Sequence, residues 1–149
     1  MMVSYDVFTE AFLSKVTEYK FLRLDATDRQ SEVDGYMKRA CAHFNEVCKY
    51  DLSAYDDPLR VFELENITQA ELDEIADIVS EGMLMQWMKP YTYKQENLEN
   101  LLNTSDYSAY SPAELLHRVT EAYKMTRKAF TAMINEYSYR HGDLTDLHL

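Results

Sequence analysis

The sequence predicts an all-α protein: a helical bundle organised around a long C-terminal helix, with irregular or short extended peripheral segments. Three observations carry that prediction. Apolar residues recur at steps of three and four through most of the chain. Ser/Thr-x-x-Glu capping boxes open two of the strongest such stretches. The three prolines, Pro58, Pro90 and Pro112, fall between these stretches or at their ends. With 149 residues, residues 1–149 read as one domain, large enough to bury roughly two thirds of its unfolded surface.

A first helix is expected from about Ser4 to Tyr19, because Tyr5, Phe8, Phe12, Val16 and Tyr19 make an apolar row. Lys20 to Thr27 breaks the pattern and reads as a connection. A second helix starts near Thr27 or Asp28 and runs to about Lys49, burying Val33, Met37, Ala40, Cys41, Phe44, Val47 and Cys48. Gly35 costs that helix about 1 kcal/mol relative to alanine, and marks either a close approach by another helix or a tolerated accident. Tyr50 to Thr68 is the least helical stretch. Asp51, Ser53, Asp56, Asp57 and Pro58 punctuate turns there, and Arg60 to Leu64 reads as a short extended segment that lies on the bundle or pairs with a neighbouring subunit.

Thr68, with Glu71 at the third helical position, opens a third helix. Leu72, Ile75, Ala76, Val79, Met83, Leu84, Trp87 and Met88 form its broad apolar face, Gly82 weakens its middle and Pro90 ends or bends it. Met83, Met85 and Met88 read as adaptable packing. A short helix is expected from Thr92 to Leu102, and a polar connection from Asn103 to Tyr110. The long helix then spans Ser111 to Gly142, roughly 45 Å at 1.5 Å per residue. Ser111 and Glu114 form its capping box, Pro112 suits the first helical position, and Gly142 suits the stop. Leu115, Val119, Ala122, Thr126, Ala129, Met133 and Tyr137 line one face, with Leu116, Tyr123, Phe130 and Ile134 widening it; Glu121, Lys124, Arg127, Lys128 and Asn135 line the other. Residues 143–149 read as a short tail in which Leu144 and Leu147 dock on a partner or back on the bundle.

Charge is distributed unevenly. Residues 112–149 hold five acidic and five basic side chains, so the formal net charge of −11 falls on residues 1–111. That balance disfavours a broad nucleic-acid footprint. Cys41 and Cys48, seven apart on one helix, read as small buried thiols rather than a disulfide. The opening residues lack the pattern of a signal peptide, and no apolar run approaches a membrane span, so a soluble intracellular product is expected.

Catalytic and metal motifs are weak. Glu114-x-x-His117 places a carboxylate and an imidazole on adjacent turns, but a four-helix di-metal site needs a second such motif and two further glutamates. His43-x-x-Glu46 has the reverse order. Cys41, His43 and Cys48 lack the close spacing of a zinc site. There is no glycine-rich phosphate loop, no Gly-x-Ser-x-Gly elbow and no His-Glu-x-x-His motif. No cofactor or metal is expected, and no enzymatic reaction. Twelve tyrosines suit moderately wet protein contacts as well as a core.

Met85-Gln-Trp-Met-Lys-Pro90, Gln95-Glu-Asn-Leu-Glu-Asn-Leu-Leu102, Tyr110-Ser-Pro-Ala113 and Tyr137-Ser-Tyr-Arg-His-Gly-Asp-Leu-Thr-Asp-Leu147 occur in that order, after Asp51-Leu-Ser53. Together they resemble the head-to-tail connector, or neck, proteins of tailed phages that infect Gram-positive bacteria, over most of the chain. The resemblance implies a virion structural subunit that forms a ring beneath the portal and joins capsid to tail around the DNA channel. It implies as partners the portal protein, neighbouring copies and a downstream neck or tail-completion protein. DNA would pass without sequence-specific recognition, and no membrane would be involved. The implied location is the virion neck, with the host cytoplasm during assembly. The residues expected at contacts are Arg60, Phe62, Leu64, Tyr107, Tyr110, Arg127, Lys128, Tyr139, Leu144 and Leu147. The alternatives are a non-catalytic helical regulator that binds a phage or host protein, and a metal-dependent helical enzyme.

Overall fold

The computed structural model describes residues 1–16, 29–92 and 112–141. The elements in order are β1 (Met2–Ser4), α1 (Asp6–Val16), α2 (Arg29–Phe44), β2 (Tyr55–Asp56), β3 (Val61–Glu63), α3 (Gln69–Met88), a 3-10 turn at Lys89–Thr92 and α4 (Pro112–His141). The protein is a mostly helical bundle with a small sheet at its side. Ser111 as cap, Gly142 as stop, the 20–27 and 103–110 connections and the tail all lie outside the described residues. So does the short helix expected at 92–102, apart from Thr92, which ends the 3-10 turn.

At the centre of the bundle stands α3, with α1, α2 and α4 all packed on it. Its sequence accounts for this place, since 12 of its 20 residues are buried, and a helix apolar most of the way round must be covered on every side. Its start is set by Thr68, whose hydroxyl accepts from the Glu71 amide at 3.2 Å while Glu71 Oε1 accepts from the Thr68 amide at 3.2 Å. Pro90 falls in the 3-10 turn, where the missing amide ends the helix.

The long helix α4 is continuous over 30 residues. It buries Leu115, Val119, Thr126, Phe130 and Tyr137 and leaves Glu121, Lys124, Arg127, Lys128 and Asn135 exposed, the two faces that the spacing predicts. It runs antiparallel to α3: Glu74 near the start of α3 pairs with Arg140 and His141 at the end of α4. Midway, Gly82 of α3 lets α2 and α4 close in. A Cβ on Gly82 would lie 2.7 Å from the Phe130 ring and 2.8 Å from Ala40 Cβ, distances that no methyl group tolerates without a shift. Gly35 meets no such neighbour; the nearest atom to a Cβ there is Arg39 Nη2 at 3.8 Å. The close approach belongs to Gly82, not to Gly35.

Three edges depart from expectation. The second helix ends at Phe44, about five residues short of Lys49, where Asn45 turns its side chain to accept from the Leu52 amide at 2.8 Å, so Val47 and Cys48 lie beyond it and are half-buried. The chain before Asp6 is a strand, so the first helix starts two residues later than Ser4. The extended segment at 61–63 finds both of its partners in its own chain, forming an antiparallel sheet of order β1-β3-β2 with Val3 opposite Phe62 and Tyr55 opposite Phe62. Val3 and Phe62 turn inward beneath α1, where the Phe8 and Phe62 rings meet edge to face at 5.2 Å.

Candidate interaction surface

Three features lie at the periphery of the bundle. The first is the turn at Arg60, whose φ of 53° is a left-handed conformation uncommon outside glycine. The arginine side chain explains why the backbone is held there. Nε and Nη2 donate to the two oxygens of Asp34 at 2.8 Å each, and Nη1 donates to Asp6 at 3.0 Å. The guanidinium also lies 5.6 Å from the centre of the Tyr5 ring. This planar fork joins α1, α2 and the sheet with a geometry that lysine cannot reproduce, and the Asp34 contact raises the already high pKa of the guanidinium. Arg60 is therefore a clamp within the protomer. Beside it, Tyr5 donates to Asp57 at 2.8 Å and Lys38 pairs with the same carboxylate at 2.6 Å, and together they hold the Asp57 carboxyl below its usual range, Lys38 foremost.

The second feature joins the exit of α2 to the start of α3 and the end of α4. Glu71, already in the capping box, accepts from the Tyr50 hydroxyl at 2.7 Å and from Lys49 Nζ at 3.2 Å. These donors, Tyr50 first, pull its carboxyl down to about 2. The Tyr137 hydroxyl of α4 accepts from the Lys49 amide at 3.1 Å, and its ring meets Phe44 edge to face at 4.8 Å. Burial pushes the Tyr137 phenol well above its ordinary range. Held in this way, segment 49–54 and the chain from Glu63 to Asn66 form the two walls of an open groove of about 580 Å³. Tyr50 and Ala54 supply its apolar lining over the buried Leu64, and Asp51, Glu63 and Glu65 its carboxylates. The Lys49 ammonium is directed to Glu71.

The third feature is the rear of α4. From Arg118 through Glu121, Met125, Lys128, Ala132 and Asn135 to Tyr139, exposed side chains alternate steps of three and four, which keeps them in one row along the rod. Most of the row is polar, but Met125 is 72% exposed and Tyr139 76%. Arg127 is exposed on the flank of the rod, off this row. Lys124 pairs with Glu121 at 3.7 Å.

Of the expected contact residues, Arg127, Lys128 and Tyr139 are exposed on one helix. Phe62 and Leu64 are 0% and 1% exposed, so their side chains belong to the protomer's own core, where β3 carries them under the helices; this corrects their placement at a contact. Tyr107, Tyr110, Leu144 and Leu147 lie outside the described residues. Sequence reasoning missed Glu63, Glu65 and Met125. Met125 carries a legible signal, an apolar side chain on an otherwise polar helix face.

The catalytic and metal candidates are dispersed. Glu114 and His117 are exposed, and among the described residues no three His, Cys, Asp or Glu side chains are grouped to hold a metal ion. Burial pushes the Cys41 thiol up to about 12 and the Cys48 thiol upward as well, which leaves little thiolate for nucleophilic work. No described helix is long and apolar enough to cross a membrane. No protein-family model, no curated protein and no solved structure matches this chain.

Proposed function

We propose that this chain is a virion structural protein that assembles as a ring beneath a portal and joins capsid to tail around the DNA channel. The observation that carries the reading is the two-sided rod. One face of α4 is seated on the bundle, and the opposite face presents Met125, Lys128 and Tyr139 in a single row to whatever lies beside the protomer. A subunit of a closed ring needs a stiff element of this kind, with a surface left over for a neighbour after its own core is satisfied. The resemblance of the ordered motifs to phage neck proteins gives that neighbour a name. Two of those motifs end described helices, Met85 to Pro90 at the exit of α3 and Tyr137 to His141 at the end of α4.

In this reading the protein works by position and contact. Its partners are sister copies, the portal and the next neck component, and the acidic body discourages DNA from adhering as it passes. Cryo-electron microscopy of particle necks tests it. A ring of this chain between portal and tail is the expected result. Absence of the chain from purified particles, together with a stable low-order complex with a host protein, overturns the assignment in favour of a regulator.

A further inference from the structure

We infer that the rear of α4 in one copy docks into the acidic groove of a second copy, with Met125 on the Tyr50 ring and Lys128 on Glu63 and Glu65. This inference rests on the ring reading and names the surfaces that would close the ring.

Charge complementarity selects the occupant. Between residues 112 and 141 the rod carries five basic and three acidic side chains, a net of +2, although the whole chain carries −11. The rod is thus the most basic of the described helices in a strongly acidic protein, and the nearest complementary surface in kind is another copy of that protein. Among the described lining residues Lys49 is directed to Glu71, and the three carboxylates of Asp51, Glu63 and Glu65 outnumber it. Glu63 also pairs with the Met1 ammonium at 3.0 Å, a contact that an incoming Lys128 would have to share.

Shape agrees with charge. Met125, at 72% exposure, is a large apolar side chain projecting from a polar face, and methionine adapts to irregular apolar surfaces. The groove offers Tyr50 and Ala54 between its acids. The two surfaces also sit at different places on one protomer. The hydroxyl of Tyr137 on the Lys49 amide marks the level of the groove, and Lys128 lies nine residues earlier on α4, about 14 Å along the helix at 1.5 Å per residue. A projecting surface and a receiving surface at separate positions give a heterologous contact, the kind that builds rings. A self-complementary patch would give a two-fold dimer instead.

Paired charge reversals test this in the full-length protein. The variants are K128E, which reduces the net charge of the rod from +2 to zero, and E63K/E65K, which makes the groove basic. Self-association is measured by sedimentation at about 1 mM chain and low salt, where even weak contacts are populated. The wild type is expected to associate, and each variant alone to associate at least about tenfold more weakly. An equimolar mixture should recover assembly in alternating order, because each reversed rod then meets a reversed groove. Recovery in the mixture also shows that both variants are folded. A monomeric wild type under these conditions, a mixture that fails to recover, or a two-fold dimer that survives E63K/E65K overturns the contact. Particle necks separate the two levels of the argument. A ring whose subunit contacts lie elsewhere removes this contact and keeps the ring, whereas rod-to-groove association by a chain absent from necks does the reverse.

Discussion

Gly35 and Gly82 look alike in the sequence, each a lone glycine inside a helical pattern, and they have opposite consequences. At Gly82 an added methyl would collide with Phe130 and Ala40, so Gly82→Ala is expected to destabilise by about 1–3 kcal/mol through overpacking. Pairing it with Phe130→Leu should return part of the loss, the coupling expected of residues that share one space. Gly35 has room, and neither glycine has a positive φ, so Gly35→Ala should stabilise by about 0.5–1 kcal/mol. Urea denaturation of these three variants, with Phe130→Leu alone to complete the cycle, measures both effects. Which glycine marks the close approach was not legible in the sequence, because the distance is set by two other helices.

Glu71 gives a prediction of pH dependence. Its folded pKa of about 2 lies below the ordinary carboxylate value, so its contribution to stability is fully present above about 4.5. It is lost as pH falls toward 2, where the carboxylate that Tyr50, Lys49 and Thr68 donate to becomes protonated. Glu71→Gln should flatten the stability profile over that window, and Tyr50→Phe should move the window upward, both read by unfolding midpoints against pH. The capping box was legible from Thr68-x-x-Glu71 alone. The donors from Lys49 and Tyr50 were not, since they arrive from across a turn.

Among the elements, the helices were the readable part and the sheet was not. The faces of α3 and α4 follow from steps of three and four, but β1 and β3 have three residues each and β2 has two, too few for a period of two to show. Arg60 was misread for a related reason: an arginine in a polar turn looks exposed until the fold brings Asp34 and Asp6 around it. For α4 one link to the rest of the protein at its far end is Tyr137. Tyr137→Phe leaves the Lys49 amide without its acceptor and should cost about 1 kcal/mol, again read by urea denaturation. Central burial also ranks the helices, so the α3 amides are expected to exchange with deuterium most slowly.

For the whole molecule, charge is the quantity that governs behaviour between copies. A contact between a basic rod and an acidic groove should weaken as salt rises and the screening length falls from about 10 Å at 0.1 M to about 3 Å at 1 M. Association that strengthens with salt would point to an apolar interface instead. The uneven charge was legible from counting residues. The groove that gives the charge a shape was not, because it is assembled from residues 49–54 and 63–66, which face each other only after folding.

The seating of α4 also limits what the rod can be by itself. Its grip comes from Phe130 over Gly82, Tyr137 against Phe44, and Arg140 with Glu74, and every one of those partners lies on another helix. Excised as a peptide of residues 112–141, it would lose all three holds and retain only the marginal helicity of an isolated segment in water. Rigidity here is conferred by the neighbours, so heat should melt rod and bundle at one temperature, with no lingering helical remnant.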